Sequence, residues 1–228
     1  MGIFDRIIGV FGKKDASEIY LYSEKEWDVV EGHISKRFGE YGAVLHEIVS
    51  PDIHVDIYAV KPTAERNYYT LVTMGMGARK MNIPKELRKR GLNRAEVLIT
   101  MPPDWEIKNE DEKWYWPIRW LKILARLPIT QDTWLGYGHT VPNFDGKPFA
   151  ENTGLCCVLL TFPYHFGSEA FICKLPNGEE VRFYQIFPIY EDEMNFKLEH
   201  DAESLEKLFG ENFDMVLDLS RESVVKRV

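Results

Sequence analysis

Tyr68-Tyr69-Thr70-Leu71-Val72-Thr73-Met74-Gly75-Met76-Gly77 is the stretch that decides the fold. Its aromatic and β-branched residues suit a pleated strand, and the glycines after it read as a turn that needs positive φ. Two comparable runs precede it. Val44-Leu45-His46-Glu47-Ile48-Val49 is stopped by Pro51, and His54-Val55-Asp56-Ile57-Tyr58-Ala59-Val60 by Pro62. Short loops between the three runs predict an antiparallel meander. A fourth strand, Ala95-Glu96-Val97-Leu98-Ile99-Thr100-Met101, ends at Pro102-Pro103.

Outward from this meander, helices flank the strands. Ser23 with Glu26 three residues on forms a capping box, and Trp27, Val30, Ile34 and Phe38 follow at helical spacing up to Gly39. A second helix is expected over 110–127, either starting or kinking at Pro117, with Ile118, Leu121, Leu124 and Ala125 as its apolar stripe. The continuous apolar run from Cys156 to Phe162 predicts a buried strand. A hairpin follows, 170–175 and 181–189 around Pro176-Asn177-Gly178, closed by Pro188 and Glu191. Two acidic amphipathic helices are expected at about 192–199 and 202–209. The tail over 212–228 offers a strand at Met215-Val216-Leu217 and a short helix. The pattern predicts an α+β fold: a largely antiparallel mixed sheet flanked by helices.

A chain of 228 residues suits one large domain, here residues 16–228 with a tail from about 211. Residues 1–15 read as an N-terminal arm or short amphipathic helix. Ile3, Phe4, Ile7, Ile8 and Phe11 recur at helical spacing, while Asp5-Arg6 interrupts any signal-peptide core, and Arg6 stands where myristoylation expects Ser or Thr. A helix docked on the body, or a frayed arm, is favoured over a membrane anchor. No stretch is apolar enough to span a bilayer.

Hydrophobic residues make up 45%, enough for a packed core, and the formal net charge is -8. That balance argues against a nucleic-acid binder, which needs a basic face. The group Lys85, Arg88, Lys89, Arg90 and Arg94 reads as a solvated turn or helix face. Cys156, Cys157 and Cys173 lack a disulfide framework. They read as small core residues in a reducing, cytoplasmic compartment, with the adjacent pair pointing to opposite faces of its strand.

The search for chemistry is thin. Gly75-Met76-Gly77 lacks the residues of a phosphate or dinucleotide loop. His54, Asp56 and Tyr58 share one strand face. His-x-Asp can ligate a metal or relay a proton, but alternation with Val55, Ile57 and Ala59 reads as a half-buried strand with a solvated polar face. His139 and Asp145 share a long loop without a visible nucleophile, and Cys157 with His165 would need a thiol activated inside an apolar run. Glu191, Asp192, Glu193, Glu199, Asp201, Glu203 and Glu206 lack calcium-loop spacing and read as the wet faces of two helices. No metal and no cofactor is expected. The loop over 130–153 is rich in aromatics, and Trp134, Tyr137, His139 and Phe144 are the candidate partner-binding residues. The competing reading is that these rings pin the loop to the core.

The ordered set of elements resembles the suppressor-of-fused family over roughly residues 20–210. The resemblance is carried by Tyr68 to Met76, by Ala95-Glu96-Val97-Leu98-Ile99, and by Trp116-Pro117 through Leu124-Ala125. Thr133 to His139 adds to it, as does Val181 to Ile189 with Glu191-Asp192-Glu193 and the 201–208 helix. It implies a single α+β domain that binds other proteins without a catalytic centre. Animal members add a C-terminal domain and hold a transcription-factor peptide as an extra strand. Bacterial single-domain members are linked to immunity against secreted toxins. The resemblance therefore implies a non-enzymatic protein-binding domain, an immunity protein neutralising a toxin by direct binding. Its partner would be another protein, such as a basic toxin domain, and neither nucleic acid nor membrane. The alternative is a small-ligand- or metal-binding protein, or an enzyme, using His54/Asp56 or His139/Asp145.

Overall fold

The computed structural model describes residues 19–210 and 214–227. The expected arm over 1–15 lies outside them. The chain order is α1 (Glu24–Phe38), β1 (Tyr41–Leu45), β2 (Asp56–Val60), β3 (Tyr69–Met74), β4 (Ala95–Met101), α2 (Glu112–Thr130), β5 (Thr140–Pro142), β6 (Cys157–Thr161), β7 (Ile172–Lys174), β8 (Glu180–Ile189), α3 (Glu191–Glu199) and α4 (Ala202–Phe209).

One eight-stranded sheet runs β1-β2-β3-β4-β8-β6-β5, with β7 paired to β8. Every ladder is antiparallel except β4–β8. The meander β1–β4 is as expected, though β1 lies earlier in the chain, at Tyr41–Leu45. The cause lies at its far end: Glu47 and Ser50 leave the ladder for side-chain partners, while Ile48 and Val49 stay exposed.

Side-chain parity along the strands divides the core. On β2, Ile57 and Ala59 face α2, while Tyr58 faces α1. On β8, Tyr184 and Ile186 join the α2 side. Phe183 packs under α1, and Phe187 and Ile189 under α3 and α4. The sheet is thus covered on both faces. This corrects the expectation of a solvated face on β2: His54 is 4% exposed and Asp56 2%. A polar set that alternates with apolar residues need not face water when partners for it lie within the protein.

Helix α1 starts as read, with Ser23 and Glu26 forming the capping box. Such a cap is worth about 1 kcal/mol. Helix α2 does not start at Pro117. It begins at Glu112, capped by Asp111, and continues past both Pro117 and Pro128. Pro117 deprives the Lys113 carbonyl of its helical donor, and Asn152 Nδ2 approaches that oxygen at 3.5 Å. Trp105 Nε1 donates to the next carbonyl, that of Trp114, at 2.9 Å.

Strand β8 runs through Pro188 rather than closing at it. Its parallel pairing to β4 ends at Gln185, so the proline lies beyond the last β4 partner. There the tail takes over. Val216 bridges Thr100 in parallel, and Gln185 Nε2 donates to Thr100 Oγ1 and the Met215 carbonyl. The expected tail strand is this single bridge, and the expected short helix is a 3-10 turn at Val225–Arg227.

Candidate functional site

Trp134, Tyr137 and His139 lie on the connection from α2 to β5, which lies against α4, and Phe144 is in the turn that follows β5. Gly138 has no Cβ, and one placed there would lie 3.2 Å from Ala202 Cβ. Trp134 packs edge-on to His139 with centroids 4.3 Å apart. Burial, and after it the Lys197 charge, lowers the His139 pKa below the ordinary imidazole value. Tyr137 stacks on Phe162 at 4.4 Å, and its hydroxyl donates to Glu206 at 3.1 Å. Glu206 also accepts from Thr161 and Tyr164. Three of the four aromatics thus pin the loop to the body.

Phe144 differs. It is 84% exposed, at the tip of a turn in which Asp145 takes a left-handed φ of 58°. The turn is held from below: Asn143 N–H donates to the Cys156 carbonyl at 2.6 Å, and Asn143 Nδ2 to the Lys147 and Pro148 carbonyls. A rigid base with an exposed ring at its tip is the geometry of an interface anchor. On α3, α4 and their connection, Glu199, Asp201 and Glu203 are exposed.

His139 and Asp145 do not form a pair. His139 meets Trp134, whereas Asp145 faces Lys147 at 3.8 Å. Cys157 and His165 are likewise separated. The Cys157 sulfur contacts Met194 and Cys156, and burial pushes its thiol up to about 12. His165 lies 3.8 Å from Asp214. The sulfurs of Cys156 and Cys157 are 3.8 Å apart rather than on opposite faces, because β6 begins only at Cys157.

His54 and Asp56 do come together, in a larger network than sequence suggested. Asp56 Oδ2 accepts from His46 Nδ1 at 3.0 Å, while Oδ1 accepts from Glu47 N–H at 3.0 Å and lies 3.1 Å from His54 Nε2. Burial raises the Asp56 pKa, but these partners outweigh it and the net direction is down. Ser50 Oγ is 2.9 Å from His54 Nδ1, which places a serine, a histidine and an aspartate in line. The proton is committed elsewhere, however. Ser50 Oγ donates to Glu47 Oε2 at 2.7 Å, and Arg126 Nη2 holds both oxygens of Glu47, at 2.6 and 2.7 Å. With that proton directed to Glu47, Ser50 Oγ has none to give His54, and the role of His54 Nδ1 in the contact follows the tautomer of the ring. Among the described residues no group of three or more His, Cys, Asp or Glu is arranged to hold a metal ion.

A buried polar cluster on β4 lies outside the sites that the sequence singles out. Glu96 on β4 is fully buried among apolar neighbours. Tyr22 Oη, Thr73 Oγ1 and the N–H groups of Gly75, Met76 and Gly77 all donate to it. Burial pushes Glu96 up to about 7, while these donors pull it down. The glycines after β3 are therefore no ligand turn; they clamp an internal carboxylate. The available signal was a single glutamate inside the apolar run 95–101.

Glu193 does not belong to a wet helix face. It is buried, accepts from Tyr190 N–H and Val224 N–H, and binds Arg221 through both oxygens. The Arg221 guanidinium lies over the rings of Phe187, Tyr190 and Phe209 at 5.0–5.3 Å.

A family model described as suppressor of fused protein matches residues 51–222. An uncharacterised protein of Ureaplasma parvum serovar 3 is 25% identical over 210 residues, which are 91% of this chain and 99% of that protein. A suppressor of fused homologue from Neisseria gonorrhoeae has a similar structure, with TM-score 0.62 and 24% identity over 89% of this chain and 98% of that one. A chain in the crystal structure of the Sufu–Fu complex gives TM-score 0.64 and 15% identity, over 90% and 95% of the two chains. Drosophila Suppressor of Fused gives 0.59 and 14%, over 89% of this chain and 52% of that one. The structural likenesses carry the α+β fold. With the family model spanning well over half of the sequence, the chain belongs to the suppressor of fused protein family.

Proposed function

We propose that this chain is a non-enzymatic protein-binding domain whose partner seats on Phe144 and the acidic surface of α3 and α4. The observation that carries the reading is Phe144 itself: a large ring, 84% exposed, on a turn fixed by backbone and Asn143 hydrogen bonds. Exposed aromatics on rigid supports are typical binding anchors. Family membership supports it, since a relative in the same family is known in a Sufu–Fu complex. Glu199, Asp201 and Glu203, with the net charge of -8, favour a basic partner. The finer reading is a cytoplasmic immunity protein that neutralises a basic toxin domain by direct binding. The enzyme or ligand-binding alternative is less well supported. His54 and Asp56 are buried, and the Ser50 proton is directed to Glu47.

Capture with the full chain from its native host, followed by co-expression with toxins of neighbouring genes, tests this. Protection by the unaltered chain and its loss in Phe144→Asp or in Glu199→Lys/Glu203→Lys are expected. Protection by no neighbouring pair removes the immunity reading. Full binding of a captured partner by the Phe144→Asp chain removes this surface.

A further inference from the structure

Three sulfur atoms meet beneath α3. Cys156 Sγ lies 3.8 Å from Cys157 Sγ, and Cys157 Sγ lies 3.4 Å from Met194 Sδ. Adjacent residues of a regular strand point to opposite faces, so neighbouring cysteines meet only where the strand pattern breaks. Here β6 begins at Cys157, and Cys156 stands just outside it. The backbone at this break is fixed. Cys156 N–H donates to the Ile189 carbonyl at 3.1 Å, and the Cys156 carbonyl accepts from Asn143 N–H at 2.6 Å. Both cysteines are buried and neither is in a disulfide, while Met194 of α3 is partly buried.

The surroundings are apolar, with Leu159, Phe187, Ile189 and Leu205 in the same cluster. Packing alone would accept any small apolar residue at the cysteine positions. Touching sulfurs add polarisable donors. Thiolate and thioether ligands select soft cations such as Cu(I), whereas a structural zinc ion takes four ligands. The spacing suits a single ion. Three sulfurs bound at about 2.3 Å, the zinc–thiolate length, in a trigonal plane lie roughly 4 Å apart, so the two contacts need open by only about 0.2 and 0.6 Å.

We propose that Cys156, Cys157 and Met194 form a binding site for one soft monovalent cation of the Cu(I) class. Binding releases the two thiol protons to solvent and transfers no electron. The site uses neither Phe144 nor the acidic residues of α3 and α4, so it stands independently of the partner reading.

The test titrates the full chain with acetonitrile-stabilised Cu(I) in the absence of oxygen, in competition with the chelator bicinchoninate. One copper retained per chain is expected, with three sulfur neighbours by X-ray absorption at the copper edge. Met194→Leu keeps an apolar side chain of similar size and should bind about tenfold or more weakly, since even residues one step out from a metal change its affinity by roughly 10–100-fold. Cys157→Ser should abolish retention, and Met194→Leu carries the test where Cys157→Ser does not fold. Cys173→Ala removes the remaining cysteine, which packs in a different cluster under α1, and should change nothing. No copper retained against bicinchoninate overturns the proposal. So does copper retained equally by Cys157→Ser and Met194→Leu, or copper with only nitrogen and oxygen neighbours. Displacement of the copper by an equal concentration of Zn(II) overturns the assignment to a soft monovalent ion.

Discussion

The Tyr22 hydroxyl donates to the Glu96 carboxylate at 2.9 Å, joining residues 74 apart in sequence. The bond fastens the lead-in to α1 onto the middle of the sheet. Both groups are buried, so each would be costly without the other. Glu96 is held up to about 7 by burial, against about 4.3 for a free glutamate. The folded state therefore holds a proton that the unfolded state releases between these values. The resulting stability is full below the unfolded value and is lost as pH rises through 7. Unfolding free energy by urea should fall between pH 5 and pH 8 by on the order of 3 kcal/mol more in the native sequence than in Glu96→Gln. Parallel profiles for the two chains would sink the assignment. Glu96→Ala, which strands five donors, should be destabilised at every pH.

The glycines beside this carboxylate act through space. A Cβ on Gly77 would lie 2.1 Å from Tyr22 Oη, so Gly77→Ala must push the hydroxyl off Glu96. A loss of about 1–3 kcal/mol is expected. Tyr22→Phe removes the same hydrogen bond and the clashing oxygen, so the double variant should be more stable than the sum of the two single losses. Strict additivity in chemical denaturation counts against the contact. Gly75→Ala has no such remedy: its Cβ would lie 2.0 Å from the His54 carbonyl oxygen, at a φ of +123°.

Arg221 holds the tail to the body through Glu193, which is wholly buried. Removing the guanidinium leaves an unpaired buried carboxylate, and Arg221→Ala should cost about 3–5 kcal/mol. Arg221→Lys should recover only part of it, because an ammonium cannot span both oxygens and lie flat against three rings. Urea midpoints give the stability, and proteolysis within residues 214–227 gives the release of the tail. An Arg221→Ala chain as stable and as protected as the native one would refute the clasp.

The meander and the α1 cap were legible because local signals agreed with tertiary structure. Ser23 and Glu26 close a box within one turn, and the β2, β3 and β4 runs end at prolines or glycine. What escaped the sequence depended on distant partners. His54 and Asp56 read as a wet face because nothing local shows that Glu47, Ser50 and Arg126 will enclose them. Glu193 looked like its acidic neighbours, and only Arg221, 28 residues on, makes its burial possible. Helix α2 passes Pro117, and Asn152, which approaches the orphaned Lys113 carbonyl, is distant in sequence. At the candidate interface, aromatic content located the loop. It could not separate the three rings turned toward the body from Phe144.

That separation gives the sharpest test of the partner surface. Trp134 lies against His139, and its ring fills the space where a Cβ on Gly136 would come within 2.5 Å of it. Trp134→Ala should cost about 2–4 kcal/mol of stability and weaken binding only through the loosened loop. Phe144 has almost no contact to lose, so Phe144→Asp should shift stability by less than about 0.5 kcal/mol. It should nevertheless weaken capture of the partner by about tenfold or more, since a central aromatic anchor is worth about 2 kcal/mol. Thermal unfolding and titration calorimetry with the captured partner, run on both variants, separate the two roles. If Phe144→Asp binds as tightly as the native chain while Trp134→Ala does not, the aromatics serve only to pin the loop and the partner lies on another face.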